Sequence, residues 1–266
     1  MFQDRMQEQR FERKYFITER QALEVRNFVN CYLEPDGYSA VRPEHSYPVH
    51  SLYLDSDGLT TYWATVHCEM ERFKLRLRYY DEDPNTPVFF ELKRRVNECI
   101  LKQRAAVCKS AAPALVAGHF PEAGHLVFDG PNHLVTVQKF CQLVHELSAR
   151  PKVHVAYERE AWVHPQTNSI RVTMDRRVCG EPQRRTVFRM KMARPVFPFT
   201  NQVVLELKYT DRFPDWFRDL VYQFNLVQTG APKYCGSVLL VGEERLGVAA
   251  VPDAQPGFAM DLTSYV

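Results

Sequence analysis

The chain has 266 residues, of which 45% are hydrophobic and 25% are charged, and its 34 Lys and Arg nearly balance its 32 Asp and Glu. A net charge of +2 excludes the bulk positive field that drives non-specific nucleic-acid binding, so a bound anion would need locally placed cations. The length and composition predict one domain over 1–266, with its core at about 10–245 and a tail at 249–266.

Membrane and disulfide signals are weak along the whole sequence. No segment has the roughly 20 consecutive apolar residues that a membrane span requires. The seven cysteines are scattered and form no Cys-x-x-Cys pair, which favours reduced thiols over a disulfide framework. We therefore expect a cytoplasmic protein with no membrane span in this chain.

Hydrophobic periodicity predicts about eight strands and four helices. In chain order they are a strand at Glu12 and Lys14, a helix from Thr18 to Tyr32, a strand at 48–56, a helix at 59–70, strands at 73–79, 88–93 and 98–108, a helix at 134–147, strands at 152–164, 170–175 and 203–209, and a helix beginning around Pro214. Thr18 and Gln21 form a capping box at the start of the first helix. The turn residues at 95–98 and 165–168 indicate hairpins and hence antiparallel pairing, whereas 179–200 is predicted as a loop.

In several strands one face is apolar and the other is charged. Leu75 and Leu77 alternate with Lys74, Arg76 and Arg78, for example. The predicted polar faces together carry Lys14, Lys74, Arg76, Arg78, Lys93, Lys102, Arg104, Arg171 and Lys208, with Glu12, Glu91, Asp175 and Glu206 in the minority. A solvated face explains any one such strand, but like charges stacked across strands destabilise a sheet unless an anion lies between them.

These patterns predict an α+β fold. We expect an antiparallel eight-stranded β-barrel that forms a tunnel, with a polar cationic lumen and with the helices packed outside. A lumen of this kind would attract a polyanion such as triphosphate, because low-dielectric walls strengthen the field of the cations. The lumen cations, including Lys74, Lys102 and Arg104, are therefore predicted to bind phosphate.

Carboxylates in so basic a lumen need a separate explanation. Mn²⁺ and Mg²⁺ prefer oxygen ligands and are commonly held by one or two carboxylates together with phosphate oxygens. Glu206 and Glu12, with Glu91 third, are therefore the predicted metal ligands. The alternative is that each pairs with a neighbouring Lys or Arg. Asp55 is expected to pair with a lumen cation or to orient a metal-bound water.

The sequence resembles the VTC domain, the polyphosphate polymerase domain of the triphosphate tunnel metalloenzyme superfamily. The matching stretches are FERKYFI at 11–17, SLYLDS at 51–56, KLRLRYY at 74–80, FFELKRR at 89–95, YERE at 157–160, IRVTMD at 170–175, LELKY at 205–209 and KYCGSV at 233–238. The resemblance implies that Glu206 helps to bind the metal. It also implies phosphate binding by Lys14, Arg76, Arg78, Lys93, Arg159, Arg171, Lys208 and Lys233, and Lys233 is expected near a short helix or turn that closes the tunnel.

The resulting hypothesis is metal-dependent phosphoryl transfer from a nucleoside triphosphate to a polyphosphate chain in the tunnel. ATP is the leading candidate for the phosphoryl donor. Arg76, Arg78, Lys93 and Lys208 are the predicted catalytic residues, because such chemistry depends on positioning and charge neutralisation. Two alternatives stay open: an inorganic triphosphatase or NTPase, and a non-catalytic module that binds polyphosphate or inositol pyrophosphate. Nucleic acid is not an expected partner, and a membrane-associated partner protein stays open.

Overall fold

The computed structural model describes residues 11–97, 99–128, 130–167 and 169–247, so the predicted tail at 249–266 lies outside the described residues. The strands are β1 (Phe11–Ile17), β2 (Glu34–Pro35), β3 (Tyr47–Asp55), β4 (Glu71–Tyr79), β5 (Pro87–Val96), β6 (Cys99–Cys108), β7 (Arg150–Val163), β8 (Ile170–Pro182) and β9 (Val203–Tyr209). The helices are α1 (Glu19–Val29), α2 (Gly37–Ala40), α3 (Thr60–Val66), α4 (Ala112–Val116), α5 (Pro131–Glu146), α6 (Asp215–Gln223) and α7 (Lys233–Val241).

The strands form one antiparallel sheet in the order β1-β9-β8-β7-β3-β4-β5-β6, and the short β2 pairs with β7. The expected closed barrel is wrong in one respect: in the described part of the chain, no ladder of hydrogen bonds joins β1 to β6. Cα atoms of these two edge strands nevertheless come within 8 Å of each other, so the sheet curves almost full circle. Charged side chains bridge the gap instead, with Lys93 Nζ 3.4 Å from Glu12 Oε2.

The predicted alternation of side chains is confirmed and defines two faces of the sheet. The outer face carries apolar residues such as Leu75 and Leu77, which are fully buried. The inner face carries the charged residues, including Arg76 of β4, which lies opposite Glu91 of β5 in the register. A shift of one residue would have exchanged the two faces, so the separation of apolar from charged side chains fixes the register.

α1, α4, α5 and α6 cover the outer face, as expected. Phe140 of α5 packs on Phe90 of β5 with ring centroids 4.8 Å apart. Val25 of α1 and Phe217 of α6 share a second buried cluster with Leu205 of β9. α1 begins at its predicted capping box, in which Thr18 Oγ1 accepts a hydrogen bond from Gln21 N at 3.2 Å. None of the helices in the described ranges is long and apolar enough to cross a membrane.

Two helices, α3 and α7, depart from the expectation that all helices pack outside. Tyr62 of α3 shares a buried cluster with Tyr53 and Val155 of the inner face. α7 lies against the inner face of β7 and β8, where Tyr234 and Val238 share a buried cluster with Val153 and Val178. The approach is close, because a Cβ added at Gly180 of β8 would lie 2.4 Å from Ser237 Oγ. α7 therefore occupies the interior of the curved sheet.

Two predicted boundaries also differ from the structure. β8 continues to Pro182, paired with Val153 of β7, so the loop predicted at 179–200 begins later. α3 ends at Val66, so Met70 at the end of the predicted stripe is not helical. Pairing with β7 extends β8, and α3 ends shortly before β4 begins at Glu71.

Candidate functional site

The inner face of the sheet surrounds a cavity of about 1040 Å³. Among the residues that the structure describes, thirteen Lys and Arg line it against two Glu. The lining includes all eleven of the predicted phosphate-binding cations: Lys14, Lys74, Arg76, Arg78, Lys93, Lys102, Arg104, Arg159, Arg171, Lys208 and Lys233. The cavity is therefore strongly cationic although the whole chain is nearly neutral.

Glu91 organises one wall of the cavity. Its carboxylate is fully buried and lies 2.6 Å from Arg76, 2.8 Å from Lys102, 3.4 Å from Arg104 and 3.7 Å from Arg78. Burial raises the pKa of Glu91, but Arg78, Lys102 and Arg76 outweigh this effect and hold the pKa well below its ordinary value. One permanent negative charge thus orients four cations, which we call the Glu91 cluster.

A second group of charges, the Glu206 cluster, forms the opposite wall. Its members are Glu206, Asp175, Lys14, Arg159, Lys208 and Lys233. Asp175 is fully buried and accepts two hydrogen bonds from Arg159, at 2.6 and 2.7 Å. Lys233, at the start of α7, lies 2.7 Å from Asp175 and 3.1 Å from Glu206. These contacts place a helix of the interior in the site, which fits the expected position of Lys233.

The carboxylates of the Glu206 cluster are ionised. Burial raises the pKa of Glu206, but the surrounding Lys208, Lys233 and other cations hold it well below its ordinary value. Burial acts in the same direction on Asp175, and Arg159 and Lys233 lower its pKa in spite of it. Each carboxylate therefore compensates part of the lysine and arginine charge around it.

Glu12 lies on the edge strand β1 and reaches across the gap to Lys93 of β5, the strand next to the other edge. Its carboxylate contacts Lys14 at 3.0 Å and Lys93 at 3.4 Å, and Lys14 also lies 3.7 Å from Glu206. Burial raises the pKa of Glu12, yet Lys93 and Lys14 lower it well below its ordinary value. Glu12 and Glu206 thus share one ammonium group at the cavity surface.

Of the three predicted metal ligands, these two are brought together and Glu91 is not. Glu91 belongs to the other wall, where it already contacts four cations. In the described residues there is no group of three or more His, Cys, Asp or Glu that could hold a metal ion. Glu12 and Glu206 nevertheless fit a cation that takes most of its ligands from phosphate and water, because such a cation requires only one or two carboxylates.

Sequence reasoning missed several side chains that line the cavity. Arg72 and Arg95 extend the alternation of their strands by one step, so the period-two pattern could have found them. Tyr53 and Tyr157 are uncharged side chains whose hydroxyls accept hydrogen bonds from Arg76 and Arg78, respectively, each at 3.1 Å. No pattern in the sequence marked this role.

Comparison with known proteins gives one match in sequence. The model of the VTC domain matches residues 9–241. Among curated proteins, none matches this chain.

Two solved structures are similar in fold but remote in sequence. A proposed adenylate cyclase from Bacillus halodurans has a TM-score of 0.49 and 11% identity, over 83% of this chain and 92% of that chain. A protein from Pyrococcus horikoshii OT3 has a TM-score of 0.45 and 12% identity, over 87% of this chain and 98% of that chain. At these values neither similarity assigns an activity to this chain.

Proposed function

This chain belongs to the VTC domain family, whose model matches residues 9–241. We propose that it transfers phosphoryl groups from a nucleoside triphosphate to a polyphosphate chain held in the cationic cavity, with ATP as the leading candidate for the donor. The observation that carries the proposal is the lining of thirteen Lys and Arg against two Glu in a chain of net charge +2. The buried Glu91 and Asp175 compensate two more of these charges. The remaining cations repel one another, and a chain of phosphates supplies the negative charge that compensates them.

Preorganisation supports phosphate binding in particular. Arg76 and Arg78 are held by Glu91 and by tyrosine hydroxyls, so little side-chain freedom would be lost when phosphate arrives. A guanidinium group can donate two parallel hydrogen bonds to phosphate oxygens, whereas a lysine acts as a point charge. The two kinds of cation in this cavity would give both geometric selection and electrostatic attraction.

The chemistry requires no nucleophilic side chain. Phosphoryl transfer depends on aligning donor and acceptor and on neutralising the charge of the transferring group. Arg76 and Arg78 on one wall, Lys208 on the other and Lys93 at the gap between β1 and β6 surround the cavity from several sides. In the proposal these four side chains hold donor and acceptor phosphates in line and stabilise the transferring group.

A divalent metal, Mn²⁺ or Mg²⁺, is part of the proposal. Glu12 and Glu206 would hold it, because both carboxylates line the cavity and share Lys14. When bound, the ion would neutralise phosphate charge and orient phosphate oxygens. Glu91 is left out of this site, since it is fully buried among four cations.

Product analysis tests the proposal. The protein is incubated with ATP and Mn²⁺ or Mg²⁺, and the products are resolved on a gel that displays polyphosphate. We expect long chains from the wild type and none from Arg76→Ala/Arg78→Ala. The matched control is Arg20→Ala/Arg212→Ala, which removes two arginines whose side chains are 90% and 82% exposed on the surface.

Other products would change the assignment. Orthophosphate without chains would make the protein a triphosphatase, in which water replaces the acceptor phosphate. Binding of polyphosphate without any turnover would favour a regulatory binding module. Absence of both binding and turnover would contradict the proposal altogether.

A further inference from the structure

Aromatic side chains collect where α2 meets β3 and the end of β4. Tyr38 and Tyr80 lie nearly parallel, with ring centroids 6.4 Å apart and planes 10° from each other. Tyr47 packs against both, at 5.6 and 6.3 Å. Phe89 meets the ring of Tyr80 edge-on at 6.0 Å. The four rings bring together segments that are far apart in the chain.

This aromatic group is continuous with the cationic cavity. Tyr47 and Tyr80 line the cavity, whereas Tyr38 is 50% exposed to solvent. Arg104 of the Glu91 cluster donates a hydrogen bond to Tyr80 Oη at 3.3 Å, and its guanidinium carbon lies 3.5 Å from the centre of the Phe89 ring. The aromatic group and the cations therefore form one surface.

At the end of β4, which Tyr80 directly follows, the spacing suits a nucleotide. Tyr80 follows Arg78 by two residues and lines the same cavity, which corresponds to a step of about 7 Å along a strand. A ribose can bridge a separation of this order between a base and its phosphates. A phosphate chain bound at Arg76 and Arg78 would therefore direct its nucleoside towards Tyr80.

Packing alone explains buried aromatic rings, but it does not require one of them to remain half exposed at the end of a cationic cavity. Rings next to a basic groove are the usual platform for stacked bases, because every base has a π-face. We propose that Tyr38 and Tyr80 form a stacking platform for the base of the nucleoside triphosphate whose phosphates occupy the cavity. This inference rests on the proposed function and adds the nucleoside subsite to it.

The polar groups near the platform determine which bases it can distinguish. Asp36 contacts Tyr47 Oη at 3.2 Å, but it also accepts hydrogen bonds from Tyr38 N, Ser39 N and Arg171 Nη2. Its acceptor capacity is thus already used, and it does not offer a dedicated contact to the edge of a base. Stacking then favours the larger purines over pyrimidines and separates adenine from guanine only weakly.

Binding without turnover tests the platform directly. Affinities for ATP, ribose 5-triphosphate and inorganic tripolyphosphate are measured by calorimetry in the presence of a chelator, so that no divalent metal supports reaction. Ribose 5-triphosphate lacks only the base, and tripolyphosphate reports the cationic cavity alone. We expect Tyr38→Ala to weaken ATP binding about 5- to 100-fold and to leave the other two ligands unchanged.

Two control variants separate stacking from folding. Tyr38→Phe keeps the ring and should keep the affinity for ATP. Tyr222→Ala removes a tyrosine that is 85% exposed on α6 and should change none of the three affinities. Among nucleotides, GTP should bind the wild type about as well as ATP, and CTP should bind more weakly.

The outcomes distinguish the platform from the proposed function. If the wild type binds tripolyphosphate but binds ATP no more tightly than ribose 5-triphosphate, the platform is wrong and the phosphate site stands. An equal loss of all three ligands in Tyr38→Ala would also overturn it, since the tyrosine would then be only structural. If tripolyphosphate itself does not bind, the proposed function fails and the platform fails with it.

Discussion

Lys208 and Glu206 lie two residues apart on the inner face of β9, and Lys208 Nζ donates to Glu206 Oε2 at 2.5 Å. Burial nevertheless lowers the pKa of Lys208 to about 8, because the attraction of Glu206 only partly compensates it. Burial likewise lowers the pKa of Lys74, Lys93 and Lys102. An anion nearby favours the charged form of a lysine, so anion binding should raise these pKa values.

Phosphate binding is therefore expected to take up protons near pH 8. Below this pH Lys208 already carries its charge, whereas above it the free protein must bind a proton before the charge is available, and affinity for tripolyphosphate should fall. Calorimetry at pH 8 in two buffers of different ionisation enthalpy measures the uptake. Lys208→Arg keeps the charge at every accessible pH. The proton uptake measured with this variant is subtracted from that of the wild type, which removes the contribution of protons bound by the ligand itself. Equal uptake by the two proteins would contradict this role of Lys208.

Replacing Glu91 should destabilise the protein when no ligand is bound. Glu91→Gln leaves Arg76, Arg78, Lys102 and Arg104 without their shared counter-charge in a buried wall. Breaking a buried ion pair in this way typically costs about 3–5 kcal/mol of unfolding free energy. Denaturant unfolding with and without tripolyphosphate measures the cost, and the ligand should stabilise the variant more than the wild type.

A surface glutamate provides the comparison for Glu91. Glu24 pairs with Arg20 on α1, where their side chains are 50% and 90% exposed. Glu24→Gln should change the unfolding free energy by less than about 0.5 kcal/mol, because exposed pairs are screened by water. If Glu91→Gln behaved like this control, the carboxylate would not be the centre of its cluster.

The sequence predicted the lining of the site better than the closure of the sheet. Alternation with period two selects one face of each strand, so cations such as Arg76 and Lys208 were assigned to the cavity without any knowledge of their partners. Closure depends on backbone pairing between strands at opposite ends of the sheet, and side-chain pattern does not report it. Sequence reasoning therefore could not predict that β1 and β6 share no ladder in the part of the chain that the structure describes.

Positions set by long-range packing were also missed. α7 is apolar on almost every side, so no stripe showed that it would enter the interior of the sheet. The helix fits in the interior because two glycines allow close contacts there. Gly180 of β8 lies against Ser237 of α7, and Gly236 of α7 lies against Pro198. The meeting of Tyr38 with Tyr80 is equally non-local.

Removing one proposed metal ligand should weaken metal binding. In Glu12→Gln the carboxylate at the gap is lost, while Glu206 and the four cations around it remain. We expect the affinity for Mn²⁺ in the presence of tripolyphosphate to fall at least about tenfold, since changing even an indirect partner of a ligand commonly costs this much. Electron paramagnetic resonance of free Mn²⁺ measures the affinity without activity.

Glu91→Gln is the contrasting variant for the metal. Its carboxylate lies on the other wall, so Mn²⁺ affinity should change less than in Glu12→Gln once tripolyphosphate saturates the protein. A larger loss in Glu91→Gln would place the ion at the Glu91 cluster and contradict our assignment.

Asp55 was expected to pair with a lumen cation or to orient a metal-bound water, and the structure gives it a different role. It is fully buried and accepts hydrogen bonds from the backbone N–H groups of Ser56, Thr61 and Tyr62 and from the hydroxyls of Thr61 and Tyr234. One carboxylate thus fixes the start of α3 and ties α7 to β3.

This role predicts a large loss of stability in Asp55→Asn. Either orientation of the new amide turns its NH₂ group towards at least two of the former donors, and each lost bond to a charged acceptor contributes about 1.5–3 kcal/mol. We expect the unfolding free energy to fall by about 3 kcal/mol or more. Tyr234→Phe removes a single donor and should cost about 1.5 kcal/mol. Asp215→Asn, at a carboxylate that is 69% exposed on α6, should be nearly neutral, and a similarly small effect in Asp55→Asn would show that α3 and α7 are held by packing alone.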